Sequence, residues 1–384
     1  MIRRLLMLFG IGLAARTVLA SRSSASDRPT DPETAAGAAG TADVQPVAID
    51  PTATGPAATG PTVDEVEGTG SRGGADGHLA RTPTEISGSG WVAVLKRTGK
   101  EVSADNVPMI AAAVAFAGLL ALFPAMIAAI SIYGLVTDPG TAAQHAADLA
   151  ETLPASARDL ISTQLESIAD SESSTLSISL VVSILGALWS ASGGVGMLVK
   201  GLNLAYDETD DRGFVKGRAL ALALTLGAIV FFGVAVGLIA VVPPVIDSLG
   251  LGVAGTIGAQ VARWTLLALL IVVSLAVLYR LAPDREDARW SWLSPGAVLA
   301  TVLFLLVSVG FSFFVDNFGS YGETYGAIAG VIVLMLWLQL SALVILVGAE
   351  LNAESERQTA RDTTTGAPRP LGQRGAEPAD TVAA

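Results

Sequence analysis

The ionisable residues that could do chemistry in this chain stand at the ends of long apolar segments. Lys200, Asp316 and Glu350 each adjoin such an end. A charged group deep in a bilayer is costly and marks an ion or substrate path where it occurs. This placement therefore gives no support to ion-coupled pumping. Glu350 is predicted to cap the last apolar segment and to anchor it against basic loops, with a gate or a substrate contact as the alternative.

The residue inventory excludes several kinds of chemistry. The chain has no cysteine and only two histidines, His78 and His145, so we expect neither thiolate chemistry nor a histidine-built metal centre. A formal net charge of -12 argues against a surface that binds nucleic-acid phosphates. No nucleophile–base pair or carboxylate dyad is visible in the sequence. We expect no enzyme activity, no catalytic residue, no cofactor, no metal and no nucleic-acid partner.

Proline and glycine supply a second set of candidates. Pro124 lies in the middle of the first apolar segment, where it removes a backbone donor and predicts a kink. The kink serves packing or lines a cavity, and both interpretations stay open. Pro243 and Pro244 are predicted to end the third segment. Glycines in the second and third segments predict close helix packing. These glycines are Gly193, Gly194, Gly196, Gly227, Gly233 and Gly237.

A polar and aromatic stretch at 316–326 separates the last two apolar segments. Tyrosines at such a position anchor a helix at the membrane interface or line an entrance. The candidate residues of this stretch are Tyr321, Gly322, Tyr325 and Gly326.

Composition and periodicity place these residues on membrane helices. The 384 residues are 51% hydrophobic and only 15% charged, and the apolar residues fall into runs long enough to cross about 30 Å of hydrocarbon. We predict an all-α, polytopic membrane helix bundle with about six transmembrane helices. The predicted spans are 108–136, 176–199, 219–242, 264–281, 295–315 and 327–349.

Both flanks of the membrane domain, which we place at 91–355, have a different composition. Residues 1–90 and 356–384 are rich in Ala, Gly, Pro and Thr, too poor in apolar groups to offset the entropy of ordering, and are predicted to be disordered. Residues 1–20 have a weakly signal-like profile. A cleaved signal, a surface-lying segment and a misassigned start all remain open for them.

The distribution of Lys and Arg predicts the orientation of the bundle. Cytoplasmic loops are enriched in both residues, and here they cluster before the first span, between the second and third, between the fourth and fifth, and after the sixth. Both ends of the membrane domain are therefore predicted to lie in the cytoplasm, in the cell (cytoplasmic) membrane. The acidic loop at 137–175 is predicted to be external and helical.

Five short segments resemble the YihY/BrkB family of bacterial inner-membrane proteins, formerly labelled ribonuclease BN. They are AAAVAFAGLLALFP at 111–124, GLNLAY at 201–206, LYRLAP at 278–283, YGETYG at 321–326 and LVGAELN at 346–352. Their order around six spans matches the family pattern over 90–356. The resemblance adds further candidate functional positions to Pro124, Glu350 and the loop residues. These are Phe116, where the family commonly has tyrosine, and Asn203, Tyr206, Pro283 and Gly348.

The kinked and glycine-rich helices favour transport or lipid handling, with the lipid bilayer as surroundings and an unidentified small molecule or lipid as substrate. The alternative is a non-catalytic membrane scaffold that binds protein partners or a second copy of itself, because few polar groups lie within the spans. Ribonuclease activity is rejected, because the sequence offers neither clustered metal ligands nor a cationic groove.

The predicted orientation can be tested with two reporter fusions. A reporter fused after Gly140 should be external and one fused after Arg212 cytoplasmic, because the Lys and Arg residues are concentrated on the Arg212 side. Alkaline phosphatase and a fluorescent protein report the two compartments. Both reporters landing in one compartment would contradict the six-span topology.

Overall fold

The computed structural model describes residues 77–136, 178–250, 252–318 and 327–383. Within these ranges the chain is helical, and its β pairing is a single antiparallel bridge between Ala288 and Thr364. The predicted all-α class is confirmed. The helices are α1 (Gly88–Ala104), α2 (Val107–Val136), α3 (Ile178–Ala205), α4 (Gly213–Val236), α5 (Val242–Ser248), α6 (Gly252–Leu281), α7 (Trp290–Phe318), α8 (Ala327–Arg357) and α9 (Glu377–Asp380).

Five stretches of the described chain are long and apolar enough to cross a membrane. They are Val107–Met126, Gly213–Ile246, Gly252–Leu281, Trp290–Val315 and Ala329–Arg357. They coincide with five of the six predicted spans. The remaining prediction, 176–199, coincides with α3, which is helical but is not among the five.

The helices alternate in direction across the bundle. The C-terminal ends of α3, α6 and α8 and the N-terminal ends of α2, α4 and α7 lie on the same side, which we call the capped end. A buried core joins these helices through side chains such as Val107, Leu202, Tyr279 and Leu346. All the loops predicted to be cytoplasmic therefore lie together, as an alternating bundle requires.

Helices α7 and α8 cross in direct backbone contact near the capped end. A Cβ added to Gly296 would lie 2.0 Å from the carbonyl oxygen of Gly348, and one added to Gly348 would lie 2.8 Å from that of Gly296. The Tyr279 hydroxyl covers the crossing and donates to the carbonyl of Ile345 at 2.8 Å. Glycine at both positions lets the two backbones touch.

The predicted role of the other glycines is confirmed at one position. A Cβ on Gly194 would lie 2.8 Å from that of Ala121, so α2 and α3 do approach closely there. A Cβ on Gly196 would lie 3.9 Å from that of Ala221, at ordinary van der Waals distance, whereas Gly193, Gly227, Gly233 and Gly237 have open space beside them. A glycine in an apolar run is compatible with close packing but does not require it, and these four face no neighbouring helix.

The helical backbone that begins with α4 continues through the two prolines that follow it. A π-helical turn at Gly237–Val241 follows α4 and leads into α5, where Pro243 and Pro244 occupy the first turn. Proline is tolerated at that position, since the first residues of a helix need no N–H partner within it. The prediction that the third span ends at these prolines is wrong.

The prediction of a disordered C-terminal tail is also wrong for the described residues. Residues 358–383, which we call the C-terminal cap, pack over the capped end. Arg374 is 3% exposed and donates to four backbone carbonyls. These carbonyls belong to Ala360, Arg361, Arg369 and Ala379. Composition predicted disorder because apolar side chains are few, whereas the cap is ordered by hydrogen bonds to backbone.

The boundary predicted for the disordered N-terminal arm, residue 90, lies too far along the chain. The His78 carbonyl accepts hydrogen bonds from Ala360 N at 2.8 Å and from the Thr359 hydroxyl, so the packed chain includes residues predicted to belong to the arm. Residues 1–76, with the signal-like start, and the predicted external loop at 137–175 lie outside the described residues.

The glycine crossing predicts a large effect of a single methyl group. Gly296→Ala should lower stability by about 1–3 kcal/mol or more, because the new Cβ collides with backbone that cannot rotate away. Gly310→Ala on the same helix is the matched control, since nothing lies beside it. Thermal unfolding in detergent measures both variants. Equal melting temperatures for the two would contradict the crossing.

Candidate functional site at the capped end

Most of the described candidate residues converge on the capped end. Asn203 lies in the last turn of α3 and Tyr206 directly follows that helix. Pro283 follows α6, and Gly348 and Glu350 lie in the last turns of α8. Because these three helices end on the same side, segments far apart in sequence meet. The Asn203 side chain, 4% exposed, accepts a hydrogen bond from the backbone N–H that follows Pro283 at 2.7 Å.

Asn352 connects three helices within this site. Its Oδ1 accepts from the Gly296 N–H at 2.7 Å, and its Nδ2 donates to the Tyr206 hydroxyl at 3.2 Å. The side chain is fully buried. Burial raises the pKa of the Tyr206 hydroxyl, helped by the charge of Glu356 and opposed by Arg285, so the phenol stays protonated. Asn352 is the last residue of the LVGAELN segment at 346–352, and its type and position in the sequence do not indicate this bridging role.

A buried ion pair holds the loop after α6 against α8. The guanidinium of Arg285 donates to both carboxylate oxygens of Glu356, at 3.0 and 2.7 Å, and the side chains are 2% and 0% exposed. Thr363 of the cap donates to the same carboxylate at 2.6 Å. The guanidinium also lies 5.2 Å from the ring centre of Tyr206. This bidentate geometry offsets part of the cost of burying both charges.

Glu354, also on α8, is paired with two arginines. Arg97 of α1 donates to it at 2.6 Å and Arg357 at 2.7 Å. Arg357 also pairs with Asp207. The anchoring against basic residues that the sequence assigned to Glu350 therefore belongs to Glu354 and Glu356, further along the helix.

Glu350 itself has acidic surroundings. The side chain is 2% exposed, and among the described residues its Oε1 has no hydrogen-bond partner. The carboxylates whose charges act on it most strongly are those of Asp105, Asp207, Glu101 and Glu354. The predicted anchoring of Glu350 against basic loops is wrong for the described residues, because Arg97, Arg285 and Arg357 pair with other acids.

Asp105, in the turn between α1 and α2, lies beside the Glu350 carboxyl group, within reach of a side-chain hydrogen bond. Burial and the charges of Asp207 and Glu101 raise the pKa of Asp105, while its contact with Glu350 lowers it. Two carboxyl groups in contact are stable only when one of them holds a proton. The sequence showed no carboxylate dyad because the two residues are far apart along the chain.

The remaining candidates lie elsewhere. Phe116 is 54% exposed on the side of α2, and Pro124 lies within α2, which continues through it as a helix. Neither belongs to the site at the capped end. The loop candidates lie outside the described residues. They are Tyr321, Gly322, Tyr325 and Gly326.

An open acidic depression of 590 Å³ lies beside the Arg285 pair, between two loops and the C-terminal cap. Glu208 lies at its edge, 4.0 Å from Arg285, and accepts a hydrogen bond from the Glu377 N–H at 2.8 Å. Burial raises the pKa of Glu208 from 4.5 to about 7, although that hydrogen bond and the Arg285 charge lower it. The acids lining the depression are Glu208, Asp211, Asp284, Glu286, Glu377 and Asp380.

The sequence matches a family model and known proteins. A family model described as Virulence factor BrkB matches residues 98–371. The ribonuclease-like protein YfkH of Bacillus subtilis (strain 168) is 34% identical over 256 residues, covering 63% of this chain and 87% of that protein. No solved structure matches the chain.

Shorter matches link the chain to proteins named UPF0761 membrane protein. The one from Tolumonas auensis is 41% identical over 85 residues, covering 22% of this chain and 28% of that protein. The one from Pseudoalteromonas translucida is 37% identical over 92 residues, covering 24% and 30%.

The raised pKa of Glu208 predicts a pH dependence of stability. Because the folded pKa of about 7 exceeds the unfolded value of 4.5, the folded state binds the proton more tightly. The resulting stabilisation is fully present below pH 4.5 and is lost as the pH rises through about 7. Glu208→Gln should remove this part of the pH dependence and melt at a higher temperature than the unmodified chain at alkaline pH.

Melting curves in detergent across this pH range measure the effect. Asp211→Asn, an exposed acid of the same depression, is the matched control and should keep the pH dependence of the unmodified chain. A Glu208→Gln curve parallel to that of the unmodified chain would show that Glu208 titrates as an ordinary surface acid.

Proposed function

The chain belongs to the Virulence factor BrkB family, and we propose that it moves a small or amphipathic substrate, lipids included, across the cytoplasmic membrane. It is a multi-pass integral membrane protein, like the UPF0761 membrane proteins that it resembles. The single observation that carries the proposal is the buried Glu350 carboxyl group, which has no cationic partner in the part of the chain that the structure describes.

An ionisable group buried in a membrane helix is costly and is kept where it serves an ion or substrate path. Glu350 belongs to α8, whereas Asp105 precedes α2, so their contact links the last and first membrane helices. With one proton the two carboxyl groups attract each other, and without it they repel. Proton release would therefore separate α2 from α8 at the capped end.

The charges around the pair would make this separation sensitive to pH. Glu101, Asp207 and Glu354 add negative charge, whereas Arg97 and Arg357 pair with Glu354 and Asp207 and leave Glu350 uncompensated. The pair is thus a candidate gate at one mouth of a path through the bundle. Proton movement coupled to substrate movement is the mechanism that this arrangement favours.

We place the capped end in the cytoplasm. Lys96, Lys100, Arg212 and Lys216 belong to the segments gathered there, and positive charge is retained on the cytoplasmic side during insertion. Both ends of the membrane domain then face the cytoplasm, and Glu350 would gate the inner mouth.

A scaffold function is the second candidate, and the C-terminal cap favours it. The acidic depression beside the cap would attract a basic protein segment. In that case the chain would recruit a partner at the cytoplasmic face and move nothing itself.

Catalysis and cofactor binding are not part of either proposal. The word ribonuclease occurs in the name of YfkH, but RNA hydrolysis needs a site that attracts a polyanion. The depression at the capped end is acidic and would repel RNA. We therefore propose no enzyme activity for this chain.

Reconstitution into liposomes tests the transport proposal. Labelled phospholipids and a panel of small solutes should include at least one species that the protein moves, at a rate that changes with pH as the pair gains or loses its proton. Glu350→Gln keeps the shape of the side chain but removes its ionisation. This variant should lose most of the pH dependence, and Asp211→Asn should retain it.

Three outcomes separate the candidates. Flux with the same pH profile in Glu350→Gln would remove Glu350 from the mechanism. Absence of flux over the whole panel, together with a stoichiometric protein that co-purifies from gently solubilised membranes, would favour the scaffold. Absence of both would count against both proposals.

A further inference from the structure

Among the described residues, a second buried charge without an ion-pair partner lies at the other end of the bundle. Arg263 is part of α6, a helix that crosses the membrane, and is only 9% exposed. At about 1.5 Å per residue, the rise from Arg263 to the end of α6 at the capped end is about 27 Å, close to the thickness of the hydrocarbon core of about 30 Å. Arg263 therefore lies at the depth of the opposite headgroup layer.

Within the described chain, the guanidinium of Arg263 makes one long hydrogen bond. Its Nη1 donates to the Ile239 carbonyl at 3.4 Å, and its Nε is buried without a hydrogen-bond partner. The ring centre of the neighbouring Trp264 lies 5.1 Å away. Gln260, one turn earlier on α6, also has a buried Oε1 without a partner. Among the described residues, no carboxylate forms an ion pair with Arg263.

The Ile239 carbonyl lacks a backbone hydrogen-bond donor because of the two prolines. In an α-helix its partner would be the N–H of Pro243, and in a π-helix that of Pro244, and proline has no N–H. Arg263 supplies the missing donor. One long hydrogen bond to a neutral carbonyl uses one of five guanidinium donors and leaves the positive charge uncompensated.

We propose that Arg263 and Gln260 form a binding site for a phosphate group at the membrane face opposite the capped end. A planar guanidinium offers paired donors that match phosphate oxygens, and the Gln260 amide can turn to present its N–H groups to the same anion. Trp264 belongs to a residue type that settles at the headgroup layer.

The phosphate could belong to a lipid headgroup or to a soluble anion, since both offer the same oxygens. A lipid would place its chains along the apolar surface of α6, where Val261 and Leu266 are exposed on the residues around Arg263. The site concerns binding alone, and its test does not depend on the proposed transport. Together with that transport, it would make a phosphate-bearing amphiphile the substrate class.

Lipid binding to the purified full chain tests the site. Native mass spectrometry in detergent would compare phosphatidylglycerol with diacylglycerol of the same acyl chains, which lacks the phosphate. The unmodified protein should prefer phosphatidylglycerol. In Arg263→Gln this preference should fall by about tenfold or more, the effect of losing a charged hydrogen bond. Lys216→Gln removes the same charge from an exposed position and should bind as the unmodified protein does.

Competition and a second variant complete the test. Displacement of phosphatidylglycerol by inorganic phosphate would identify a site for soluble anions, and failure to displace it would identify a lipid site. Arg263→Lys keeps the charge without the planar fork and should bind several-fold more weakly than arginine, which decides the matter if Arg263→Gln does not fold. Unchanged phosphatidylglycerol preference in either well-folded Arg263 variant would overturn the site.

Discussion

The buried pair of Arg285 and Glu356 is the interaction on which the capped end depends. It brings the loop after α6, the last turn of α8 and Thr363 of the cap to one carboxylate, and it places the guanidinium over the ring of Tyr206. Removing one partner of such a pair leaves the other charge buried, which typically costs about 3–5 kcal/mol. The position of Tyr206, and through it that of Asn352, follows from this pair.

The bilayer explains why so much polar structure gathers there. Hydrocarbon offers no hydrogen bonds, so the membrane part of the bundle is joined by small residues such as Gly296 and Gly348. Hydrogen bonds and ion pairs accumulate where the helices leave it. The C-terminal cap extends this polar layer, since Arg374 satisfies backbone carbonyls that would otherwise be buried without donors.

Against this background two groups stand out because their charge is not balanced. Glu350 is surrounded by acids at the capped end, and Arg263 forms no ion pair with any acid of the described residues at the opposite face. Other buried charges of the described chain have partners, as in the ion pair of Arg285 with Glu356 and the hydrogen bonds of Arg374 to backbone carbonyls. An unbalanced buried charge is costly to fold, so proteins retain it where a proton or a ligand completes it. Under the proposed transport function, these two groups would lie at opposite faces of the membrane.

The sequence by itself determined the membrane class, the helical fold, most spans and the family, because apolar length and local motifs are properties of contiguous residues. It also selected Asn203, Tyr206, Gly348 and Glu350. It could not show that Asp105 meets Glu350, that Asn352 bridges Tyr206 to Gly296, or that the C-terminal segment folds onto the bundle. Those contacts join residues distant along the chain, and whether a buried charge is balanced depends on its neighbours in space. Only the tertiary structure decides that.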